Sequence, residues 1–558
     1  MIIEIDHLAD ATSLAADLCI VGAGAAGLVI AREFLGTGTQ VVLLESGGWT
    51  MRDDVQDLYG GEIEQQPFRG LQAGRARVFG GTTTLWGGQC IPLDPIDFEA
   101  RPWVRFSGWP ITSADLASYY DRAKQRLEIA PEAFDKPAWQ RFGLDPLDLD
   151  ADRLAATHGV FIRQPDLGQR FRAELAAAAN IRVLLHANTT RLDTDASGTQ
   201  IQEVTFRSLG GRKGGIKARR VALCAGGIEN ARLLLLSDQA ASEDAGPGKS
   251  QARGPHAGGL GNSHDLVGRF LQDHPCGRTA EIVTTSPRPL QDHWNMLYSH
   301  RAHYLPKLAL SEAAQRREQV LSCVGRLEYE YEPDSGMQAV RELFTDLRAR
   351  RRPPELVRKL AALGRGSPDL ALVTWRRLAR GLSPATRPRR IYLEAFTEQA
   401  PMPDSRITLA DSRDALGLRR VKVDWRLDAS VWKTLRVFTR CVQEEFARLG
   451  LGEVRPADWL AQEEPPGSVL VDSYHPAGTT RMARRPEEGV VDADCQVFGV
   501  HGLYVAGSSV FPTSGAANPT LTLIALALRL AERLKNELAQ QAAARPNATA
   551  SLARVGGA

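Results

Sequence analysis

The stretch from Asp17 to Glu45 constrains the fold of this chain more than any other. Asp17-Leu18-Cys19-Ile20-Val21 reads as a short buried strand, and Leu28-Val29-Ile30 with Phe34-Leu35 as the inner face of a helix ending at Gly36. Gln40-Val41-Val42-Leu43-Leu44-Glu45 reads as a second strand. Between first strand and helix lies Gly22-x-Gly24-x-x-Gly27. The motif is weak alone, but here it has the strand and helix it needs. Its glycines allow a tight turn and let a pyrophosphate reach the free N–H groups of a helix N-terminus. Ala25 and Ala26 open that helix, and Glu45, followed by Ser46, is placed to accept hydrogen bonds from an adenosine ribose. A carboxylate there disfavours a 2′-phosphate, so the unit predicts a non-phosphorylated dinucleotide in a parallel sheet.

Similar junctions recur far along the chain. One is Val221-Ala222-Leu223-Cys224-Ala225-Gly226-Gly227 running into Asn230 to Leu236, and another precedes Asn518. The nucleotide domain is therefore expected to be discontinuous, over 1–100, 176–280 and 466–540, with a second domain over 101–175 and 281–465. In the second part, Arg390 to Gln399 and Arg419 to Trp425 alternate as antiparallel strands do. The expected fold is α/β: a Rossmann-like domain plus a discontinuous α+β domain on a largely antiparallel sheet. A length of 558 residues suits two such cores. Ser237 to Gly261 reads as a loop. The stretch 338–390 reads as a solvated, arginine-rich helical insertion, containing Arg350-Arg351-Arg352 and Arg376-Arg377, and 541–558 as a disordered tail.

A net charge of +2 argues against nucleic acid as a partner. The seven cysteines form no CxxC pair, which indicates neither a zinc site nor a disulfide framework, and they read as small buried apolar residues. No signal segment or membrane-length apolar run is visible, so the expectation is a cytoplasmic protein with no transmembrane segment.

Phe79-Gly80-Gly81-Thr82-Thr83-Thr84-Leu85-Trp86-Gly87-Gly88-Gln89, taken in combination with the other motifs, decides the choice between FAD and NAD. With the fingerprint, Ala225 to Leu236, Gly261 to Gly268, Glu398-Gln399 with Ser405-Arg406, and Ser473 to Thr522, it makes the chain resemble the glucose-methanol-choline (GMC) family of FAD oxidoreductases. That resemblance implies FAD along Gly22, Gly24, Ala25, Ala26, Gly27, Glu45, Ser46, Gly80, Gly81, Thr82, Thr84, Trp86, Gly87, Gly88, Gln89, Ala225, Gly226, Gly507, Pro519 and Thr520. Several members tether the flavin through a histidine in the glycine-rich segment. Leu85 stands at that position here, so the FAD is expected to be non-covalent.

Oxidising an alcohol removes a proton from oxygen and a hydride from carbon, so a base is required beside the flavin. Histidine suits the proton step because its ordinary pKa lies near neutrality. The resemblance places that base at His475 in the stretch Ser473 to Met482, with Asn518 as its partner orienting the substrate hydroxyl. Read from the residues alone, Asn518-Pro519 is an N-cap followed by a first-turn proline, with the helix running on through Leu534. His264 and His274 read as structural, and Arg481 and Glu398 as structural or substrate-wall residues.

The activity implied is oxidation of a secondary hydroxyl of a sugar or glycoside, by an oxidase or a dehydrogenase. Two alternatives stay open: a non-sugar alcohol, or a redox-silent lyase of the same family. A small carrier subunit with a cytochrome is a further expectation, and it would move the chain to the periplasm. Oxygen, quinone and cytochrome all remain open as acceptor.

Overall fold

A computed structural model describes the chain except residues 136, 238–255, 257, 301, 333–338, 340–341, 344, 347–352, 366–374, 384–386, 464–465 and 544–558. Its first sheet grows from the unit that opens the sequence. Thr12–Val21 lies at the centre, with Val41–Leu44, Ile181–Leu185 and Ile2–Glu4 parallel on one side. On the other side Lys213–Leu223 runs parallel to it, and Leu503–Val505 runs parallel to the end of that strand. Ile201–Arg207 and Asn188–Thr194 extend the edge antiparallel. Leu18, Cys19, Ile20 and Val41 to Leu44 are all buried, the continuous apolar pattern expected of parallel strands covered on both faces. Three helices follow strand ends of this sheet: Ala25–Glu33, Gly226–Leu236 and Thr520–Ala543.

The second sheet is antiparallel throughout its described pairings. Its order is Glu453–Pro456, Cys276–Val283, Arg390–Thr397, Cys323–Glu330, His303–Leu310, Leu154–Phe161 and Gln89–Cys90. Helix Ala429–Arg448 packs on it through Val431, Leu435, Phe438, Val442 and Phe446, an apolar stripe at helical spacing. Phe438 sits where a side chain at Gly325 would stand, so helix and sheet meet closely. The passage into this sheet falls at Cys276 rather than at the expected 281, and Gln89–Cys90 belongs to it rather than to the nucleotide domain expected over 1–100.

The expectation for Arg419 to Trp425 is corrected. This strand pairs antiparallel with Arg406–Arg413 but parallel with Gly61–Gln65, in a separate three-stranded sheet. Ile228 of the Gly226–Leu236 helix shares a buried cluster with Ile407, Val421, Val423 and Trp425, so the small sheet packs on the nucleotide-binding side. Its alternation was real, but alternation cannot say which sheet a strand joins.

Most of Ser237 to Gly261, Arg350-Arg351-Arg352 and residues 544–558 lie outside the described residues. Within 338–390, Leu356–Arg365 is helical. Arg376, however, is buried, donating to the Ser383 carbonyl at 3.2 Å and pairing with Asp292, so that arginine is not part of a solvated face. Residues 541–543 continue the last helix and are not tail.

Candidate active site

A cavity of about 580 Å³ runs between the sheets. Gly22, Gly24, Ala25 and Ala26 line it, as do Glu45, Ser46, Gly81, Thr82, Leu85, Trp86, Gly87, Gln89, Ala225, Gly226, Gly507, His475, Asn518, Pro519 and Thr520. Four residues expected there do not. Gly27 packs against its own turn, where a Cβ would overlap the Gly22 carbonyl oxygen. Gly80 backs onto Asp166 and Gly168, and Gly88 onto Ile162 and Pro165. The Thr84 hydroxyl donates to the Gly81 carbonyl at 2.9 Å.

The residues fit a dinucleotide. A Cβ at Gly24 or Gly226 would meet no protein atom within 4 Å, although both residues line the cavity, so the space their missing side chains leave belongs to a ligand. Gly226 also has φ +90°, which other residues rarely adopt. Asn188 Oδ1, Thr189 Oγ1 and Gln89 Nε2 are buried on residues lining the cavity and have no protein partner. Glu45 accepts hydrogen bonds from Ala23 N–H at 2.9 Å and Gly47 N–H at 2.8 Å, which fixes the carboxylate beside the glycine turn.

Sequence reasoning missed a cationic wall. Arg75 and Arg77 pair with Glu229 at 2.8 and 2.9 Å and stack over the Tyr59 ring, while Arg232 bridges Glu229 and Asp414. Glu229 is buried, yet these arginines hold its carboxyl down at about 2. All six residues line the cavity. The signal was scattered over residues 59 to 414, and only the fold assembles it.

At the other end stand His475 and Asn518. Asn518 is not the helix cap it was expected to be. The helix begins at Thr520, Leu523 N–H donates to Pro519, and the Asn518 amide turns instead to His475 Nε2 at 3.4 Å. His475 is presented by a strained turn: Tyr474 has φ +62°, a conformation costing a tyrosine roughly 1–2 kcal/mol. Asp273 holds that turn. Its carboxylate accepts from Ser473 N–H and His475 N–H, both at 2.8 Å, and from His274 N–H at 2.7 Å. Gln399 accepts from Asp273 N–H at 3.0 Å and from the Trp425 indole at 2.8 Å, so Glu398-Gln399 serves the site through its scaffold.

His274, expected to be structural, lies with its Nδ1 2.9 Å from His475 Nδ1. Burial drives His475 well below its ordinary value, and repulsion from the protonated forms of His274 and Lys307 adds to it. Burial likewise lowers His274 to about 4 and Lys307 to about 7. Burial and the neighbouring Asp472 push Asp273 up to about 7. Lys307 reaches Gln89 Oε1 at 3.3 Å and Arg326 pairs with Glu394 at 2.6 Å, placing polar groups on the antiparallel wall.

Other candidates stand apart. Glu398 is locked to Arg101 at 2.5 Å with both side chains fully buried, and Arg481 donates to the Phe106 carbonyl at 2.6 Å and stacks over Phe270. His264 is exposed. All seven cysteines are free and buried. Among the described residues, no group of three His, Cys, Asp or Glu could hold a metal, and no helix is long and apolar enough to cross a membrane.

A mostly parallel sheet with a glycine-built dinucleotide cleft, closed by an antiparallel wall that faces a half-buried histidine, fits a flavin-dependent oxidoreductase. The family model described as GMC oxidoreductase matches residues 401–527. The 2-methyl-1,2-propanediol dehydrogenase of Mycolicibacterium austroafricanum is 24% identical over 92% of this chain and 94% of that protein. The C-glycoside 3-oxidase of Arthrobacter globiformis is 38% identical over 22% of this chain and 23% of that protein. A solved formate oxidase shares the fold, at a TM-score of 0.55 and 16% identity over 95% of this chain and 99% of that one. Residues 401–527 thus carry a GMC oxidoreductase domain, and the chain is an FAD-dependent enzyme acting on CH–OH donors.

Proposed function

We propose that the enzyme oxidises a secondary hydroxyl of a sugar or glycoside to the carbonyl, with His475 as proton acceptor and Asn518 as the group that orients the alcohol. The observation carrying this reading is the approach of His475 Nε2 and the Asn518 amide to 3.4 Å on residues that line one cavity with the dinucleotide cleft. A hydroxyl lying between them would give its proton to Nε2 and accept a hydrogen bond from the amide. FAD, when bound, supplies the acceptor for the hydride leaving the same carbon, so the alcohol loses two electrons and two hydrogens. Burial keeps His475 neutral and ready to accept a proton. Gln89 and Arg326, which line the cavity, suit a substrate rich in hydroxyls, and the C-glycoside 3-oxidase similarity supports a sugar. The diol dehydrogenase similarity favours a second reading, a small non-sugar alcohol.

The test is anaerobic mixing with sugars, glycosides and simple alcohols, for wild type and His475→Ala. A sugar or glycoside should bleach the flavin, and the variant should keep its FAD but be reduced about 100- to 10,000-fold more slowly. Near-normal reduction of the variant would remove His475 as the base. Bleaching by simple alcohols alone would favour the second reading, and no bleaching by any alcohol would favour a lyase. The same panel followed by air sorts oxidase from dehydrogenase. With Leu85 in the cavity the FAD is non-covalent in this reading, so acid precipitation should leave all the yellow colour in the supernatant.

A further inference from the structure

We propose that His274 is a positioning residue that fixes the tautomer of His475, so that Nε2 of His475 faces the cavity without a proton. This rests on the reading of His475 as the proton acceptor. Which atoms can donate decides the arrangement. The Gly515 carbonyl oxygen only accepts, and it lies 2.9 Å from His274 Nε2, so that nitrogen carries a hydrogen. A neutral imidazole has one N–H, which leaves His274 Nδ1 with a lone pair. His475 Nδ1, 2.9 Å away, must then donate to it. His475 has thereby spent its only N–H, and its Nε2 presents a lone pair towards the Asn518 amide at 3.4 Å.

The reverse arrangement fails at the carbonyl. If His274 donated through Nδ1, its Nε2 lone pair would oppose the Gly515 oxygen at 2.9 Å, a buried repulsion replacing a hydrogen bond. The two-ring chain also needs both imidazoles neutral, and their depressed pKa values agree with that. The fold fixes the spacing. Gln272 bridges Ala477 in antiparallel register, which sets His274 opposite His475, Cys276 bridges Val471 beyond them, and Asp273 ties both segments through three backbone N–H groups. In the other tautomer His475 would offer the substrate a hydrogen rather than accept one.

The test compares His274→Leu, which removes the acceptor, with His274→Asn, whose side-chain oxygen can stand where Nδ1 stood and accept from His475. In the loaded enzyme, His274→Leu should slow anaerobic flavin reduction about 10- to 100-fold with FAD content unchanged, and His274→Asn should recover most of it. A second readout is independent of turnover. Selective 15N-histidine labelling of the wild type should show His475 protonated at Nδ1 and bare at Nε2, and His274→Leu should shift that balance. Wild-type reduction rates in His274→Leu, or a wild-type His475 protonated at Nε2, would overturn the proposal. If His274→Leu does not fold, the wild-type spectrum and His274→Asn decide. Should His475→Ala prove unimpaired, the base assignment falls while the 15N result still reports the tautomer.

Discussion

The two ends of the cavity are built on opposite rules. At the dinucleotide end the chain withholds side chains: Gly24 and Gly226 leave space that no protein atom fills, and Gly22 and Gly27 let turn, helix and neighbouring strand touch. At the histidine end it invests in side chains, with Trp425, Gln399, Asp273, His274 and His475 linked by successive hydrogen bonds. The first end offers its ligand shape and backbone N–H groups, beside an ion-paired cluster of Arg75, Arg77, Glu229 and Arg232 that holds its charges across the working pH range. In the proposed mechanism the second performs its task only in a given protonation state, and the groups around it have pKa values displaced by burial. Substitutions should therefore act sterically at one end and through protons at the other.

The largest expected effects separate two glycines only three positions apart. Gly27→Ala places a Cβ on the Gly22 carbonyl oxygen inside a packed turn, and such overpacking costs about 1–3 kcal/mol. It should lower the melting temperature of the FAD-free protein as well as FAD occupancy. Gly24→Ala meets no protein atom, so the FAD-free protein should melt as wild type does while FAD affinity falls. Equal destabilisation of the two FAD-free variants would break the distinction between glycines that serve packing and glycines that serve the ligand.

How much of this was legible in the sequence follows the same division. The dinucleotide end is local: strand, glycine turn, helix and strand lie within Asp17 to Glu45, and hydrophobic period and turn chemistry report them directly. His475 and Asn518 were reached only through motif resemblance, and the cap assigned to Asn518 shows the limit of local rules. Its side chain can cap a helix or face a histidine, and the tertiary contact at 3.4 Å took precedence. His274 was read as structural because its partner is 201 residues away. Periodicity carries no information over such distances. The same holds for Glu229, whose three arginines come from two separate segments, and for Arg419–Trp425, whose alternation is compatible with either sheet.

The smallest effect tests the protonation half of the comparison without altering the protein. A base works deprotonated, so lowering its pKa moves the acid limb of the rate to lower pH. An ordinary histidine of pKa about 6.5 would be about three-quarters protonated at pH 6, and flavin reduction would drop to about a quarter of its value at pH 8. His475 is held well below that value by burial, His274 and Lys307. Lys307, pushed down to about 7, gains its charge across the same span and depresses His475 further, while Asp273 gains its charge only towards higher pH, where His475 is already neutral. Anaerobic flavin reduction at saturating substrate should thus stay within about twofold between pH 8 and pH 6. A limb centred near pH 6.5 would mean that the histidine end is far wetter than its packing implies, and that its distinction from the glycine-built end is one of composition rather than of protonation.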